Sequence, residues 1–167
     1  ALCLLGPTVS SFASAPFPAT IEFVDRNGLA LRTFDEGELS VPVSLGDVSP
    51  WIILCTMAAE DKRFWDHHGV DAQAVLRALW QNARAGEVVS GGSTLTQQLV
   101  RQLDPRPRGV WGKVLEAGKA LRLERQASKS EILESYLNSV FYGNGARGIE
   151  AASRVYYNLP AKELSLA

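Results

Sequence analysis

The sequence is poor in the residues that many sites depend on. Its two cysteines, Cys3 and Cys55, are far apart and form no Cys-x-x-Cys spacing, which argues against a thiolate metal site. Cys55 lies inside the apolar run "WIILCTM" and reads as a buried thiol. The only histidines, His67 and His68, are neighbours and cannot face the same way from a helix or a strand, so no histidine-based metal cluster is expected. No Gly-x-Ser-x-Gly elbow is present, which excludes the usual signature of a Ser-His-Asp hydrolase. No apolar run reaches about 18 residues, so no segment reads as a membrane span. The formal net charge is −1, and no global basic field points to nucleic acid.

What is there is a chain of 167 residues, 46% hydrophobic and 21% charged, the profile of one folded domain with a sizeable core. Residues 1–19 read as a linker or the stump of a membrane anchor, since "ALCLLG" is apolar but too short to span. Residues 20–45 read as a β-hairpin lead-in, with two short apolar runs around Asp25, Arg26, Asn27 and Gly28. Residues 46–167 read as the main domain, broken off near its C-terminal end because "AKELSLA" begins a helical pattern and stops.

Helical signals dominate from residue 49 onward. Ser49 and Pro50 cap and open a helix from 51 to about 63. Asp71 caps a second, with Val75, Leu76, Leu79 and Trp80 on one face and Gly86 near its end. A third is predicted over 94–103 and a fourth from about 113 to 125. Ser128 and Glu131 form a capping-box pattern before a fifth, in which Ile132, Leu133, Tyr136, Leu137, Val140 and Phe141 repeat at helical spacing. Gly143, Asn144 and Gly145 break the chain before a sixth over 149–157. The class is mainly α with a short N-terminal β-hairpin.

Three stretches carry candidate chemistry. "AAEDKRFWDHHG" sets Glu60 and Asp61 at the end of the greasiest helix, flanked by Phe64 and Trp65. Desolvation there would raise a carboxyl toward the range of a general base, although a solvated helix end explains the same residues. "SGGSTLTQQL" offers two glycines, the hydroxyls of Ser93, Thr94 and Thr96, and Gln97 and Gln98 at a helix start, equipment for holding phosphate or sugar. It is not a P-loop, because no Gly-Lys-Ser/Thr follows. Between residues 101 and 125, Lys and Arg outnumber Asp and Glu by more than two to one. Arg101 and Arg108 suit bidentate phosphate contacts, Lys113 supplies a point charge, and Glu116 shares its helix face. Glu131 and Arg147 also read as a plain cap and a plain surface charge.

Five motifs in order then resemble a known family. They are Glu-Asp-x-x-Phe-x-x-His-x-Gly from Glu60, Gly-Gly-Ser-Thr-Leu-Thr-Gln-Gln from Gly91, Lys-x-x-Glu from Lys113, Lys-x-Glu-Ile-Leu-Glu-x-Tyr-Leu-Asn from Lys129, and Arg-Gly-x-x-x-Ala from Arg147. The order resembles the peptidoglycan glycosyltransferases, family 51, found as the first catalytic domain of class A penicillin-binding proteins and as monofunctional transglycosylases. "LDPRPRGVWGK" is most similar to the penicillin-binding protein 1C branch.

The resemblance implies a lysozyme-like fold with an apolar jaw, between the first two motifs, that dips into the membrane. It implies that Glu60 is the general base and Glu116 the second acid, with Glu131 an acid used in some members. Arg101, Arg108 and Lys113 would hold a pyrophosphate, while Ser93, Thr94, Gln97 and Gln98 line the cleft; Asp61 and Arg147 join the substrate-binding set. The implied reaction polymerises lipid II: the acceptor 4-hydroxyl attacks C1 of the donor, with inversion and loss of undecaprenyl pyrophosphate. Implied partners are lipid II, the growing glycan strand, the outer face of the cytoplasmic membrane and moenomycin-type inhibitors. A transpeptidase domain is expected beyond residue 167, since no Ser-x-x-Lys, Ser-x-Asn or Lys-Thr-Gly occurs within the chain. No cofactor is required by the sequence, with Mg²⁺ or Mn²⁺ bridging pyrophosphate as the option. Gly112 stands where the family usually has Arg, so one cation is missing. The competing readings are a lytic, muramidase-like hydrolase and an inactive lipid II-binding module.

Overall fold

In the computed structural model the described residues are 21–24, 30–34, 39–105 and 109–166, the first two segments by backbone only. The expected linker over 1–19, the turn at Asp25 to Gly28 and Arg108 lie outside them. Two strands, β1 (Ile21–Val24) and β2 (Ala30–Phe34), pair antiparallel with Ile21 opposite Phe34. The expected hairpin strands are therefore present. A further two-residue strand, β3 (Leu39–Ser40), pairs in parallel with β4 (Ala146–Arg147). That ladder is too short to leave a period-2 signal and was not expected.

Among the described residues six α-helices follow β3: α1 (Pro50–Glu60), α2 (Ala72–Ala85), α3 (Leu95–Leu103), α4 (Val110–Gln126), α5 (Lys129–Ser139) and α6 (Ile149–Tyr157). The mainly α class with a small sheet near the N-terminus is as predicted. Three boundaries differ, the first being that α5 ends at Ser139 and leaves Val140 and Phe141 of the helical repeat beyond it. α1 stops at Glu60 rather than near 63, because Asp61 leaves helical geometry (φ −156°) while its N–H still closes on the Met57 carbonyl. α4 begins at Val110, a turn early, behind Gly109 at φ +103°.

The core lies where α3 meets both α4 and α5. Leu95, Leu99, Ile132, Leu133 and Leu137 are essentially sealed from solvent, each contributing about 1.5–3 kcal/mol of transfer free energy. Phe64, from the loop after α1, is fully buried in the same cluster. A polar knot ties the three helices behind it. Thr96 on α3 donates to Glu124 on α4 at 2.6 Å, and Lys129 on α5 donates to the same Oε1 at 2.7 Å. The Lys129 ammonium also sits 4.4 Å from the centre of the Phe64 ring, a cation–π contact. The approach to α1 is stitched to α5: the Asn138 amide exchanges hydrogen bonds with the Val43 backbone, and Glu134 accepts the Leu45 N–H.

Against this core, α1 is an exception. None of its residues is buried among the described residues, and Trp51, Leu54 and Cys55 are exposed. Cys55 is therefore not the buried thiol that its apolar neighbours suggest. The apolar side chains of α1 ring the helix instead of forming one stripe, so no single face can bury them. On α2 only Ala78 is buried, and Leu76, Leu79 and Trp80 of the predicted apolar face project outward.

Candidate active site

Glu60 is the last residue of α1 and is exposed. Burial by the chain itself does not supply the desolvation that its apolar neighbours suggest. Its Oε2 accepts a hydrogen bond of 2.8 Å from Gln98 Nε2 on α3. The Oε1 atom accepts none from the described residues. A carboxylate with one oxygen fixed and the other open has the layout of a proton acceptor.

Asp61, expected among the substrate contacts, is built into the frame instead. It is buried, its Oδ2 accepts the Leu95 N–H at 3.0 Å, and His67 Nε2 lies 2.9 Å away. Because the Gly69 N–H donates to His67 Nδ1, the Nε2 atom is the one that donates to Asp61. The carboxylate thus anchors the first free N–H of α3, whose dipole favours negative charge there. Thr94 closes the loop by donating to the Gly69 carbonyl at 2.6 Å. Gly69 itself has φ +94°, and a Cβ there would stand 2.8 Å from the Ala120 carbonyl, so only glycine fits.

Thr94 and Gln97 form the capping box of α3, with Thr94 Oγ1 accepting from the Gln97 N–H and Gln97 Oε1 from the Thr94 N–H. Both are buried, which leaves Ser93 and Gln98 as the members of that motif with reach outward. Of the two glycines, Gly91 faces open space. Gly92 is needed for packing: a Cβ would meet the Val75 backbone of α2 at 2.8 Å. The motif thus serves a close helix contact as much as an anion.

A second group gathers at Ser93, the residue just before the α3 cap. Lys113 Nζ donates to Ser93 Oγ at 2.6 Å and pairs with Glu116, whose side chain is 1% exposed. Burying a carboxylate so fully requires partners, and Lys113 is one. Gly92, Gln97 and Lys113 border a groove of about 390 Å³ whose other walls include Val75, Leu79, Val110 and Val114. It is largely apolar with a cation at one end, and Glu60 lies outside it.

The remaining predicted residues separate. Arg101 is exposed on the last turn of α3, near enough to Tyr136 for its charge to act there. Glu131 is exposed and occupied as the cap of α5, where hydrogen bonds from the backbone and hydroxyl of Ser128 hold its carboxyl below the ordinary range. Arg147 lies in β4 and donates to the Ser139 carbonyl at 3.0 Å. Arg108 is outside the described residues.

Sequence reasoning missed two residues beside Glu60. Tyr136, 5% exposed, donates its hydroxyl to Gln98 Oε1 at 3.3 Å. Burial, with the Glu60 charge added, raises its phenol to about 12, so it remains an O–H donor. Tyr142 is pushed up further by burial and by its neighbours Tyr136 and Glu60. Helical spacing marked Tyr136 only as core; the usable signal was that a buried tyrosine must place its hydroxyl on a partner.

Known proteins bear on this arrangement. The Transglycosylase family profile matches residues 27–167. The chain is similar to penicillin-binding protein 1C of Escherichia coli, 44% identical over 144 residues that cover 85% of this chain and 19% of that protein. It is 39% identical over 150 residues to penicillin-binding protein 1F of Bacillus subtilis, covering 89% and 21% respectively. A biosynthetic peptidoglycan transglycosylase of Salmonella arizonae is 38% identical over 164 residues, which cover 96% of this chain and 68% of that protein. The chain belongs to the Transglycosylase family. It spans about a fifth of the length of the penicillin-binding relatives it matches.

Proposed function

We propose that the protein containing this chain is a peptidoglycan glycosyltransferase that extends glycan strands from lipid II, and that Glu60 is its general base. The observation that carries the reading is the exposed Glu60 carboxylate, held at Oε2 by Gln98 with Oε1 open. In the proposed step Oε1 takes the proton of the acceptor 4-hydroxyl as that oxygen bonds to C1 of the donor. The C1–O bond to undecaprenyl pyrophosphate breaks on the opposite face, giving inversion.

A pyrophosphate leaves without an acid to protonate it and needs cations for its growing charge. Lys113, steadied by Ser93 and Glu116, is the first candidate, with Arg101 and Arg108 as further ones. Ser93 and Gln98 are the polar contacts offered to sugar, and Arg147 stays among the substrate-binding residues of the reading. A divalent ion has no ready site, since no cluster of three or more His, Cys, Asp or Glu occurs among the described residues. Mg²⁺ or Mn²⁺ would rest mainly on pyrophosphate oxygens beside a single carboxylate, and no step is assigned to it.

A hydrolytic enzyme with this layout would need a second carboxyl free to act as an acid. Glu116 is buried against Lys113, which favours transfer over hydrolysis. No helix among the described residues is long and apolar enough to cross a membrane. The exposed Leu76, Leu79 and Trp80 of α2, with Arg77 and Arg84 and no acid in the helix, suit the outer face of the cytoplasmic membrane. The reading extends to moenomycin-type inhibitors at the same cleft and to a transpeptidase domain elsewhere in the protein.

The test is the product made by the natural full-length protein from lipid II in detergent. Strands with release of undecaprenyl pyrophosphate support the reading; soluble fragments cut from finished peptidoglycan would replace it with the lytic one.

A further inference from the structure

We propose that Tyr136 is a positioning residue for the reaction, fixing the amide of Gln98 so that it donates to Glu60. The inference rests on Glu60 being the base. An ionised carboxylate only accepts hydrogen bonds, so the Gln98 atom 2.8 Å from Glu60 Oε2 must be the NH₂. The other end of the same amide is then the carbonyl, and the Tyr136 hydroxyl 3.3 Å away must donate to it. A phenol that keeps its proton to about pH 12 supplies that donor throughout the working range.

The three groups come from three elements: the end of α1, the second turn of α3 and the middle of α5. Without the hydroxyl, Gln98 can turn its amide over and present a carbonyl to Glu60, which repels the carboxylate. The ring of Tyr136 is 5% exposed and sits in the core, so Tyr136 acts on substrate only through Gln98. Gln98 is itself partly exposed, placed where it can touch both the base and the sugar whose hydroxyl is activated. The chain thus links the main core, through one amide, to a single oxygen of the base.

The test is a double-mutant cycle on lipid II polymerisation by the full-length protein, with thermal melting of every variant. Tyr136→Phe keeps the ring and removes the oxygen. It is expected to lower kcat about five- to tenfold, the rate equivalent of one hydrogen bond, with KM for lipid II unchanged. Gln98→Leu is expected to lower kcat at least as far, and adding Tyr136→Phe to it should change nothing more, because the hydroxyl acts only through that amide. Independent effects that multiply, a kcat equal to wild type in Tyr136→Phe, or a fall in kcat matched by a lower melting temperature would each overturn the proposal.

A second readout needs no turnover. The side-chain NH₂ signals of Gln98 in an amide-labelled NMR spectrum should be distinct and slowly exchanging in the wild type and averaged in Tyr136→Phe. Identical signals in both would also overturn it. Glu60→Gln separates the two levels: full activity in that variant would defeat the base assignment, whereas the NMR comparison still reads the amide lock on its own.

Discussion

Glu60 and Glu116 are the same side chain in opposite settings. Glu60 is exposed and meets a neutral amide; Glu116 is 1% exposed and meets an ammonium. The difference sorts their work. A base must be accessible and keep an oxygen open, and Glu60 meets both conditions. A carboxylate sealed against a lysine cannot leave its partner without stranding a charge, so in the proposed reaction Glu116 is the residue that holds Lys113 beside Ser93. α3 stands between them, its N-terminal flank reaching Lys113 through Ser93 and its middle reaching Glu60 through Gln98. One short helix thereby sets both the attacking and the leaving side of the proposed reaction.

The comparison can be broken from the Lys113 side. Lys113→Ala should lower kcat/KM for lipid II by about tenfold to a hundredfold, since a charge-assisted contact to pyrophosphate is lost; steady-state kinetics in detergent measure it. Unchanged kinetics would return Lys113 to a structural ion pair. Gly92→Ala tests the wall shared by α2 and the start of α3. The added methyl meets the Val75 backbone, so the variant should lose about 1–3 kcal/mol of stability in denaturant titration.

Asp71→Asn sharpens the comparison by perturbing a pair away from both glutamates. The Arg63 guanidinium beside Asp71 holds its carboxyl down to about 2. Its stabilising effect is therefore complete above the unfolded carboxylate value of about 4 and is lost as pH falls toward 2. Asparagine can still cap α2 but loses the ion pair. The variant should be about 1–2 kcal/mol less stable at neutral pH and should match wild type at the acid end. Smallest in effect is Trp80→Ser, which should weaken binding to lipid vesicles a few-fold while leaving the melting temperature in place, because Trp80 is 62% exposed.

Much of this was legible in sequence because local signals and tertiary packing agree. Asp71 and Ser128 cap the helices they were expected to cap, each accepting a backbone N–H three residues on; Thr94, expected as the first residue of its helix, is the cap. Helical spacing located Ile132, Leu133 and Leu137, and they are core. What stayed hidden depends on distance in space. The hydrogen bond from Gln98 to Glu60 spans 38 residues, and the one from the Leu95 N–H to Asp61 spans 34; no spacing rule reaches that far. Asp61 and Thr94 look like ligands in a motif because frame and site use the same polar residues, and only burial tells them apart. Cys55 and the apolar α1 misled for the opposite reason: hydrophobicity shows which residues favour burial, not whether a partner covers them.

The central claim is that the exposed glutamate does chemistry and the buried one holds a cation. The most direct measurement is the split between kcat and KM for lipid II in Glu60→Gln and Glu116→Gln of the full-length protein. The account predicts that Glu60→Gln loses about 10²- to 10⁴-fold in kcat with KM retained, while Glu116→Gln acts mainly by raising KM as Lys113 is freed. Strands made at the wild-type rate by Glu60→Gln, or the same loss of kcat in both variants, would contradict it.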